Sequence, residues 1–148
     1  MNIYVDGAQR KNGQQNQIGG VGVYFGDDDK RNLSEVVENS TNNISELTAI
    51  KRALEIYDGD CKIYSDSKYS VRCINEWYKD WLSDPKKMKD KKNLELIKYI
   101  YDLIEERRSK GIKIELIHIE GHDKCQDKVH AYGNMMADLL ATSIYKNK

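Results

Sequence analysis

The chain opens with an alternation of apolar and polar side chains, which is the period of a β-strand. Residues 1–8 predict a strand, with every second side chain from Met1 to Val5 on one apolar face. Runs of β-branched and aromatic residues at 19–25 and 31–37 predict two more strands, separated by an acidic turn. Three consecutive strands with short connections indicate an antiparallel meander.

A helical period then replaces the alternation. Apolar residues from Ile44 to Tyr57 recur at intervals of three and four, which predicts an amphipathic helix. Residues 61–66 predict a fourth strand. The pattern that follows over 67–82 predicts a second helix, which Pro85 ends.

The last third of the chain again alternates between helix and strand patterns. Apolar spacing from Leu94 predicts a long helix that stops at Gly111, and alternation over 112–119 predicts a fifth strand. A loop over 120–128 leads to a closing helix. We expect its apolar side chains to face inwards, namely Tyr132, Met135, Met136, Leu139 and Leu140.

The element order is therefore βββαβααβα. Strands separated by helices pair in parallel through right-handed crossovers. We expect an α/β protein with one mixed five-stranded sheet flanked by helices, in a single domain over residues 1–148. A chain of 148 residues can build one sizeable core.

Composition narrows the class of protein. A chain that is 39% hydrophobic and 32% charged is typical of soluble globular domains, and no apolar stretch reaches the length of a membrane span. We expect no signal peptide, because the sequence starts directly with strand-like residues. The three cysteines lack C-x-x-C spacing, which favours reduced thiols in the cytoplasm or nucleus. The net charge is zero, so any affinity for nucleic acid must come from local clusters.

Four carboxylates at or near element ends are candidates for chemistry, although three have ordinary explanations. Asp66 follows a strand and precedes a helix, where aspartate is a common N-cap, but α/β sheets also place ligand sites there. Asp6-Gly7 is typical of a hairpin turn. Asn43 and Glu46 have the spacing of a capping box. The fourth acid, Asp138, lies on the closing helix.

Six short motifs occur in the order in which they occur in type 1 ribonuclease H. They are Asp6-Gly7-Ala8, Thr41-Asn42-Asn43-Ile44-Ser45-Glu46-Leu47, Ser65-Asp66-Ser67-Lys68-Tyr69, Trp77-x-x-x-Trp81, Gly121-His122 and Asn134-x-x-x-Asp138. The match covers nearly the whole chain, and the motifs fall on elements of the right type. The chain resembles that family. The resemblance implies a ribonuclease H-like fold and hydrolysis of the RNA strand of RNA–DNA hybrids, leaving 5′-phosphate and 3′-hydroxyl ends.

The predicted topology brings the acids together, since Asp6 lies on a central strand and Asp66 ends a parallel neighbour. Oxygen ligands without histidine or cysteine at zinc spacing suit Mg²⁺ or Mn²⁺. Two ions about 4 Å apart would hold the attacking and leaving oxygens of an in-line displacement. The resemblance implies two Mg²⁺ ions, for which Mn²⁺ can substitute. Asp6 would bridge them, with Asp138 on one ion and Glu46 and Asp66 on the other.

Two histidines are candidates for assisting turnover. His122 directly follows Gly121 after the fifth strand, as in the family motif, and an imidazole there could relay a proton or help product and metal depart. His130 lies further along towards Asp138 and is the alternative. His118 alternates within the fifth strand, so we expect it to be structural.

The resemblance also implies a set of substrate contacts. Four side chains match positions that line the minor groove of the hybrid, namely Asn12, Asn42, Asn43 and Lys68. Amides there suit the 2′-hydroxyl, which both donates and accepts. Asparagine is equally common in loops and caps, which is the ordinary interpretation.

Further contacts would hold the DNA strand. Thr41 and Asn93 match the family's phosphate pocket, but Asn39 stands in place of its arginine. Trp77 and Trp81 match a pair that the family places against the DNA strand. Their i, i+4 spacing is also typical of helix packing, and both interpretations can hold.

Residues 86–92 contain five lysines and one aspartate. This run resembles a shortened form of the family's basic handle, in which Lys86, Lys87 and Lys89 would contact phosphates. A solvated charged face is the ordinary alternative. We expect an RNA–DNA hybrid as the partner, no membrane, and a monomer.

Two other classes of function fit the same fold. One is a catalytically inactive nucleic-acid-binding module, against which the retention of all four carboxylates argues. The other is a nuclease or integrase that acts on DNA, whose acids would overlap with Asp6 and Asp66. The Thr41–Glu46 and Trp77–Trp81 motifs favour hybrid cleavage.

Overall fold

The computed structural model describes residues 1–11, 17–88, 93–121 and 124–143. Within these ranges the strands are β1 (Asn2–Lys11), β2 (Gln17–Tyr24), β3 (Leu33–Glu38), β4 (Cys61–Ser65) and β5 (Ile114–His118). The α-helices are α1 (Asn42–Ile56), α2 (Lys68–Arg72), α3 (Tyr78–Ser83), α4 (Leu94–Ser109) and α5 (Lys128–Thr142). None of the described helices has both the length and the apolar character needed to cross a bilayer.

The strands form one five-stranded sheet in the order β3-β2-β1-β4-β5. β2 pairs antiparallel with both β1 and β3, and β4 pairs in parallel with both β1 and β5. The meander and the parallel pairs across α1 and α4 have the predicted arrangement, and the predicted mixed sheet is confirmed. β1 is the central strand, so both of its backbone edges are paired.

β1 is longer than the alternation predicts. It continues through Asp6-Gly7 to Lys11, and Asp6 lies opposite Gly22 of β2. The hairpin interpretation of Asp6-Gly7 is therefore wrong, because the neighbouring strand continues to pair with the backbone past this point. β2 likewise begins earlier than the predicted 19–25, at Gln17.

The helix predicted over 67–82 is interrupted. A π-helical turn, Cys73–Trp77, separates α2 from α3, and the Tyr78 N–H donates to the Cys73 carbonyl oxygen, five residues earlier. A short 3₁₀ turn, Pro85–Met88, follows α3. Cys73, Tyr78 and Trp81 nevertheless remain buried across the interruption.

Helices cover both faces of the sheet. Residues of α1 and α4 contribute to the larger apolar cluster with the side chains of Ile3, Val5 and Ile63. The smaller cluster involves α5 and contains Tyr4, Tyr24, Tyr64, Ile119 and Ala137. Because strand side chains alternate between faces, Ile3 and Val5 of β1 belong to the first cluster and Tyr4 belongs to the second.

The prediction that the apolar side chains of α5 face inwards is wrong for three of the five. Tyr132, Met135 and Leu139 are 44%, 48% and 44% exposed, whereas Met136 and Leu140 are partly buried against the smaller cluster. The buried residues of α5 are Gly133, Asn134, Ala137 and Ala141. A Cβ on Gly133 would lie 2.5 Å from the Tyr4 ring, so this helix rests on the sheet through its small residues.

Side-chain donors occupy one edge of the sheet. β5 is an edge strand, and its Ile114 carbonyl oxygen accepts from the Arg108 guanidinium, with Nη2 at 2.7 Å. Its Leu116 carbonyl oxygen accepts from Asn75 Nδ2 at 2.8 Å. Two backbone acceptors that would otherwise face outwards are thus satisfied within the chain.

Close contact between α1 and β1 depends on Gly7. A Cβ at this position would collide with the backbone of Ser45 and Glu46 on α1. Its absence allows the Gly7 N–H to donate to Glu46 Oε1 at 2.5 Å and to Asp6 Oδ1 at 2.9 Å. One amide therefore links two of the candidate carboxylates.

We predict that Gly7→Ala destabilises the protein more than an equivalent change elsewhere. The added methyl group meets backbone that cannot rotate away, and overpacking of this kind typically costs about 1–3 kcal/mol. Gly26→Ala is the matched control, because a Cβ there meets nothing within 4 Å. Urea denaturation followed by circular dichroism measures both free energies of unfolding. Equal stability of the two variants would contradict the close packing of α1 on β1.

Candidate active site

Three carboxylates converge at the carboxyl end of β4. Asp6, Glu46 and Asp66 each offer an oxygen, and these oxygens lie within 4.8 Å of one another. Asp6 projects from the central strand β1, Glu46 from α1, and Asp66 directly follows β4. The predicted convergence of these three acids is present in the structure.

The helix caps are made by other residues. Thr41 is the N-cap of α1, and its hydroxyl accepts from the Ile44 N–H. Ser67 is the N-cap of α2, and its hydroxyl accepts from the Ser70 N–H. The capping interpretations of Glu46 and Asp66 are therefore wrong, because neighbouring hydroxyls already satisfy the orphan N–H groups.

The fourth acid lies in the same cleft. Asp138, on α5, lines a cleft of about 560 Å³ together with Asp6, Glu46 and Asp66. Both Glu46 and Asp138 lie close enough to Asp6 to raise its pKa. Helices on both faces of the sheet thus contribute acids to one cleft, which lies at the carboxyl end of β4.

Burial makes this cluster electrostatically unfavourable on its own. Asp6 is 5% exposed and Glu46 is 4% exposed. Burial, followed by the charge of Glu46, raises the pKa of Asp6 far above its ordinary value. Burial likewise raises the pKa of Glu46 to about 7. The protein therefore holds protons here at neutral pH unless a cation supplies a counter-charge.

The donor set fits a hard divalent cation. All the side-chain donors are carboxylate oxygens, which Mg²⁺ and Mn²⁺ prefer. Glu46 Oε2 is buried and has no hydrogen-bond partner among the described residues. An unpaired buried carboxylate oxygen is costly, and coordination of a cation would satisfy it.

The cleft also contains residues that the sequence reasoning missed. Glu120 and Lys124 both line it, and Lys124 is the only cation among the described residues that do so. Glu120 could have been found by the rule that identified Asp66, since it follows closely after a parallel strand. Lys124 carries no such signal. A turn brings it back, in which its N–H donates to the Gly121 carbonyl oxygen at 3.2 Å.

Only one of the two candidate histidines lies within the described residues. His122 lies outside the described residues. His130 lies in the first turn of α5, where Tyr4 Oη is 2.7 Å from its Nδ1. Its ring also packs against Tyr64, with 4.4 Å between centroids. His118, the residue expected to be structural, ends β5 and is partly buried.

Of the four predicted minor-groove residues, one lines the cleft that contains the acids. Asn42 lines the acidic cleft itself. Asn43 and Lys68 are exposed in the first turns of α1 and α2. Asn12 lies outside the described residues.

The predicted phosphate-pocket residues occupy two helix starts. Thr41 serves as the N-cap of α1, and it is exposed. Asn93 precedes α4 with φ 65°, and its Nδ2 lies 3.4 Å from Tyr69 Oη. Asn39 also has a positive φ, at 53°.

The tryptophans and lysines divide between core and surface. Trp81 is 8% exposed and belongs to the main core, and Trp77 packs against that core while remaining partly exposed. The packing interpretation therefore holds for both rings. Lys86 and Lys87 are exposed in the 3₁₀ turn, and Lys89 lies outside the described residues.

Comparison with known sequences gives a consistent result. The RNase H family model matches residues 1–146. A ribonuclease H of Schizosaccharomyces pombe (strain 972 / ATCC 24843) is 38% identical over 144 residues, covering 94% of this chain and 50% of the relative. A ribonuclease H of Clostridium botulinum is 38% identical over 121 residues, covering 76% of this chain and 80% of the relative. The chain thus spans about half the length of the first relative.

Comparison with solved structures agrees. A foamy viral protease-reverse transcriptase in complex with dsDNA is 25% identical with a TM-score of 0.73, covering 96% of this chain and 91% of that one. The RNase H domain of prototype foamy virus is 23% identical with a TM-score of 0.71, covering 96% and 92%, and has the same fold. Because the family model matches residues 1–146, almost the whole chain, the chain belongs to the ribonuclease H family.

Proposed function

We propose that the chain cleaves the RNA strand of RNA–DNA hybrids by metal-dependent hydrolysis, leaving 5′-phosphate and 3′-hydroxyl ends. Family membership supports the activity, and the curated relatives are named ribonuclease H. The observation that carries the proposal is the cluster of Asp6, Glu46 and Asp66, joined by Asp138 in one cleft. An acidic cleft would repel a polyanionic substrate unless cations occupied it.

The four carboxylates would hold two Mg²⁺ ions, for which Mn²⁺ can substitute. Bound there, the ions would activate the attacking water and stabilise charge on the leaving oxygen. The resemblance assigns the bridging role to Asp6, with Asp138 on one ion and Glu46 and Asp66 on the other. Glu46 is held by the Gly7 N–H through Oε1, which leaves Oε2 for coordination.

Groups around the acids would select the hybrid. Asn42 lies at the cleft, where an amide can both donate to and accept from a 2′-hydroxyl. The resemblance assigns Asn12, Asn43 and Lys68 to the minor groove of the hybrid. It assigns Thr41 and Asn93 to a phosphate of the DNA strand. Trp77 remains partly exposed while it packs on the core, so it could also contact the DNA strand.

We favour His122 over His130 as the histidine that assists turnover. The His130 ring contacts both Tyr4 and Tyr64, so a shuttling role would break contacts on two strands. The chain would act as a single catalytic domain over 1–148, as a monomer in an intracellular compartment. Its three cysteines are free, which fits a reducing environment.

Two alternative functions make different use of the same site. An inactive binding module has no need for buried acids with raised pKa values. A DNA-acting nuclease would use the same acids but would not need an amide at the cleft to recognise a 2′-hydroxyl.

The first prediction from this site concerns cleavage. With Mg²⁺, the protein should cut the RNA strand of a labelled hybrid, and EDTA should abolish the reaction. Asp66→Asn preserves shape and removes a ligand charge, so it should lower kcat by at least about 1,000-fold. Asp58→Asn, which changes an exposed acid after α1, is the matched control and should leave kcat unchanged.

Parallel assays on hybrid, duplex DNA, duplex RNA and single strands separate the rivals. Preferential cutting of duplex DNA would identify a DNA nuclease. Binding of hybrid without cleavage would identify an inactive module. Near-normal turnover by Asp66→Asn would exclude the metal-dependent mechanism.

A second prediction concerns stability and pH without metal. The folded pKa of Glu46 is raised to about 7, so between about pH 4.5 and 7 the folded protein binds more protons than the unfolded chain. Its stability in EDTA should therefore fall as pH rises through this window. Glu46→Gln keeps the acceptor for the Gly7 N–H and removes the charge. This variant should have the higher melting temperature at pH 7, with the difference shrinking towards pH 4.5.

Differential scanning calorimetry with and without Mg²⁺ checks this expectation. Because a ligand stabilises the state that binds it, Mg²⁺ should raise the melting temperature of the wild type and not of Glu46→Gln. A constant difference between the two proteins across the window would contradict a charge-based origin.

A third prediction concerns the lysine run. Each lysine–phosphate contact contributes about −0.9 to the slope of log K against log salt. Replacing Lys86 and Lys87 by alanine should weaken hybrid binding and flatten the slope, while kcat at saturation stays nearly constant. Lys62→Ala with Lys113→Ala is the control pair, because both lie at the opposite end of the sheet. Equal slopes for the two pairs would make the run an ordinary solvated face.

A further inference from the structure

Tyr4, Tyr64 and His130 form a compact group on the α5 face of the sheet, termed here the Tyr–His group. The Tyr4 and Tyr64 rings stack with 5.0 Å between centroids and an interplanar angle of 18°. The His130 ring lies 4.4 Å from Tyr64 and 5.8 Å from Tyr4. Tyr4 Oη and His130 Nδ1 are 2.7 Å apart. The group thus joins β1, β4 and the start of α5.

Each member of the group lies close along the chain to one of the acids in the cleft, or on the same helix. Tyr4 lies two residues before Asp6 on β1, and Tyr64 lies in β4, two residues before Asp66, which follows the strand directly. Because side chains on a strand repeat every two residues, Tyr4 projects to the same face as Asp6. His130 lies on α5, the helix that carries Asp138.

The contact between α5 and β1 is tight at the same place. Gly133 lies on the Tyr4 ring, where a Cβ would be 2.5 Å from ring carbons. Tyr4 is 5% exposed. Its ring therefore sets the height of α5 above β1, and its hydroxyl sets the position of α5 along the strand through His130.

The Tyr4 hydroxyl can donate this hydrogen bond. A phenol keeps its proton at neutral pH, and Nδ1 accepts when the proton of the neutral imidazole is on Nε2. Nε2 lies on the side of Asp127, at 4.0 Å from its Oδ2. Asp127 in turn caps α5, accepting from the Val129 and His130 N–H groups. The first turn of the helix is therefore fixed from both sides.

We propose that His130 is a positioning residue, which through Tyr4 and Tyr64 sets Asp138 at the distance from Asp6 that metal binding requires. α5 rises about 1.5 Å per residue, so Asp138 lies about 12 Å further along a rigid helix, and a displacement at its start carries to the acid. This role rests on the proposed function for its catalytic consequence. Its effect on metal affinity can be measured without any substrate.

Two variants remove the hydrogen bond with little change in shape. Tyr4→Phe deletes only the hydroxyl, and His130→Phe keeps a ring against Tyr64. Val129→Ala is the matched control, since Val129 is the neighbouring residue in the same helix turn and is 68% exposed. The first measurement is the midpoint of the Mg²⁺- or Mn²⁺-induced rise in melting temperature, without nucleic acid. The second is kcat and KM on a labelled hybrid.

We expect each Phe variant to raise the metal midpoint and lower kcat by about 10-fold, a typical loss when a group that orients metal ligands is removed. KM for the hybrid should change little, because the Tyr–His group is not part of the cleft lining. The double variant should be no worse than either single one, since both delete the same bond. Val129→Ala should match the wild type.

Three results would overturn the proposal. A lower melting temperature with an unchanged metal midpoint and kcat would make the group merely structural. A fall in kcat for His130→Phe alone, with the metal midpoint unchanged, would make His130 a proton-relay group instead. Fully additive losses in the double variant would show that the two residues act separately. If the wild type does not cut hybrid but the metal midpoints shift as expected, the proposed function fails and the positioning role stands.

Discussion

The fold is organised around an unfavourable interaction: three carboxylates with oxygens within 4.8 Å of one another, two of them almost fully buried. Like charges in a low-dielectric site repel strongly, so nothing in this cluster stabilises the folded chain unless protons or cations neutralise it. The free energy that holds the acids together must come from the apolar clusters on the two faces of the sheet. The packing of the two clusters therefore offsets the electrostatic repulsion among the carboxylates of the site.

Much of that scaffold could be predicted from the sequence because its signals are periodic. The alternation in β1, the helical spacing in α1 and α4, and the sole proline gave the element order and hence the sheet topology. Asp6, Glu46 and Asp66 could be assigned as a group because the topology brings all three to the same end of the central strands. Their individual explanations as caps or turns failed, since Thr41 and Ser67 make the caps and β1 continues past Asp6-Gly7.

Other features depend on contacts between distant parts of the chain and have no local signal. Hydrophobicity suggested that Tyr132, Met135 and Leu139 would face inwards, but Gly133 and Ala137 do so, because the flat tyrosine rings beneath α5 leave room only for small side chains. The π-helical turn at Cys73–Trp77 lies inside an unbroken apolar pattern. Lys124 reaches the cleft through a turn, and His130 meets Tyr4 across most of the chain.

The donors on β5 have a consequence for how the protein behaves in a crowded solution. A sheet edge with open carbonyl oxygens can add a strand from another molecule and so seed aggregates. On β5, an incoming strand would have to displace the Arg108 guanidinium from Ile114 and the Asn75 amide from Leu116. Strand addition on the side of the parallel strands would therefore cost hydrogen bonds that the chain already makes. At the other edge, β3 (Leu33–Glu38) carries two glutamates, which disfavour stacking of identical copies.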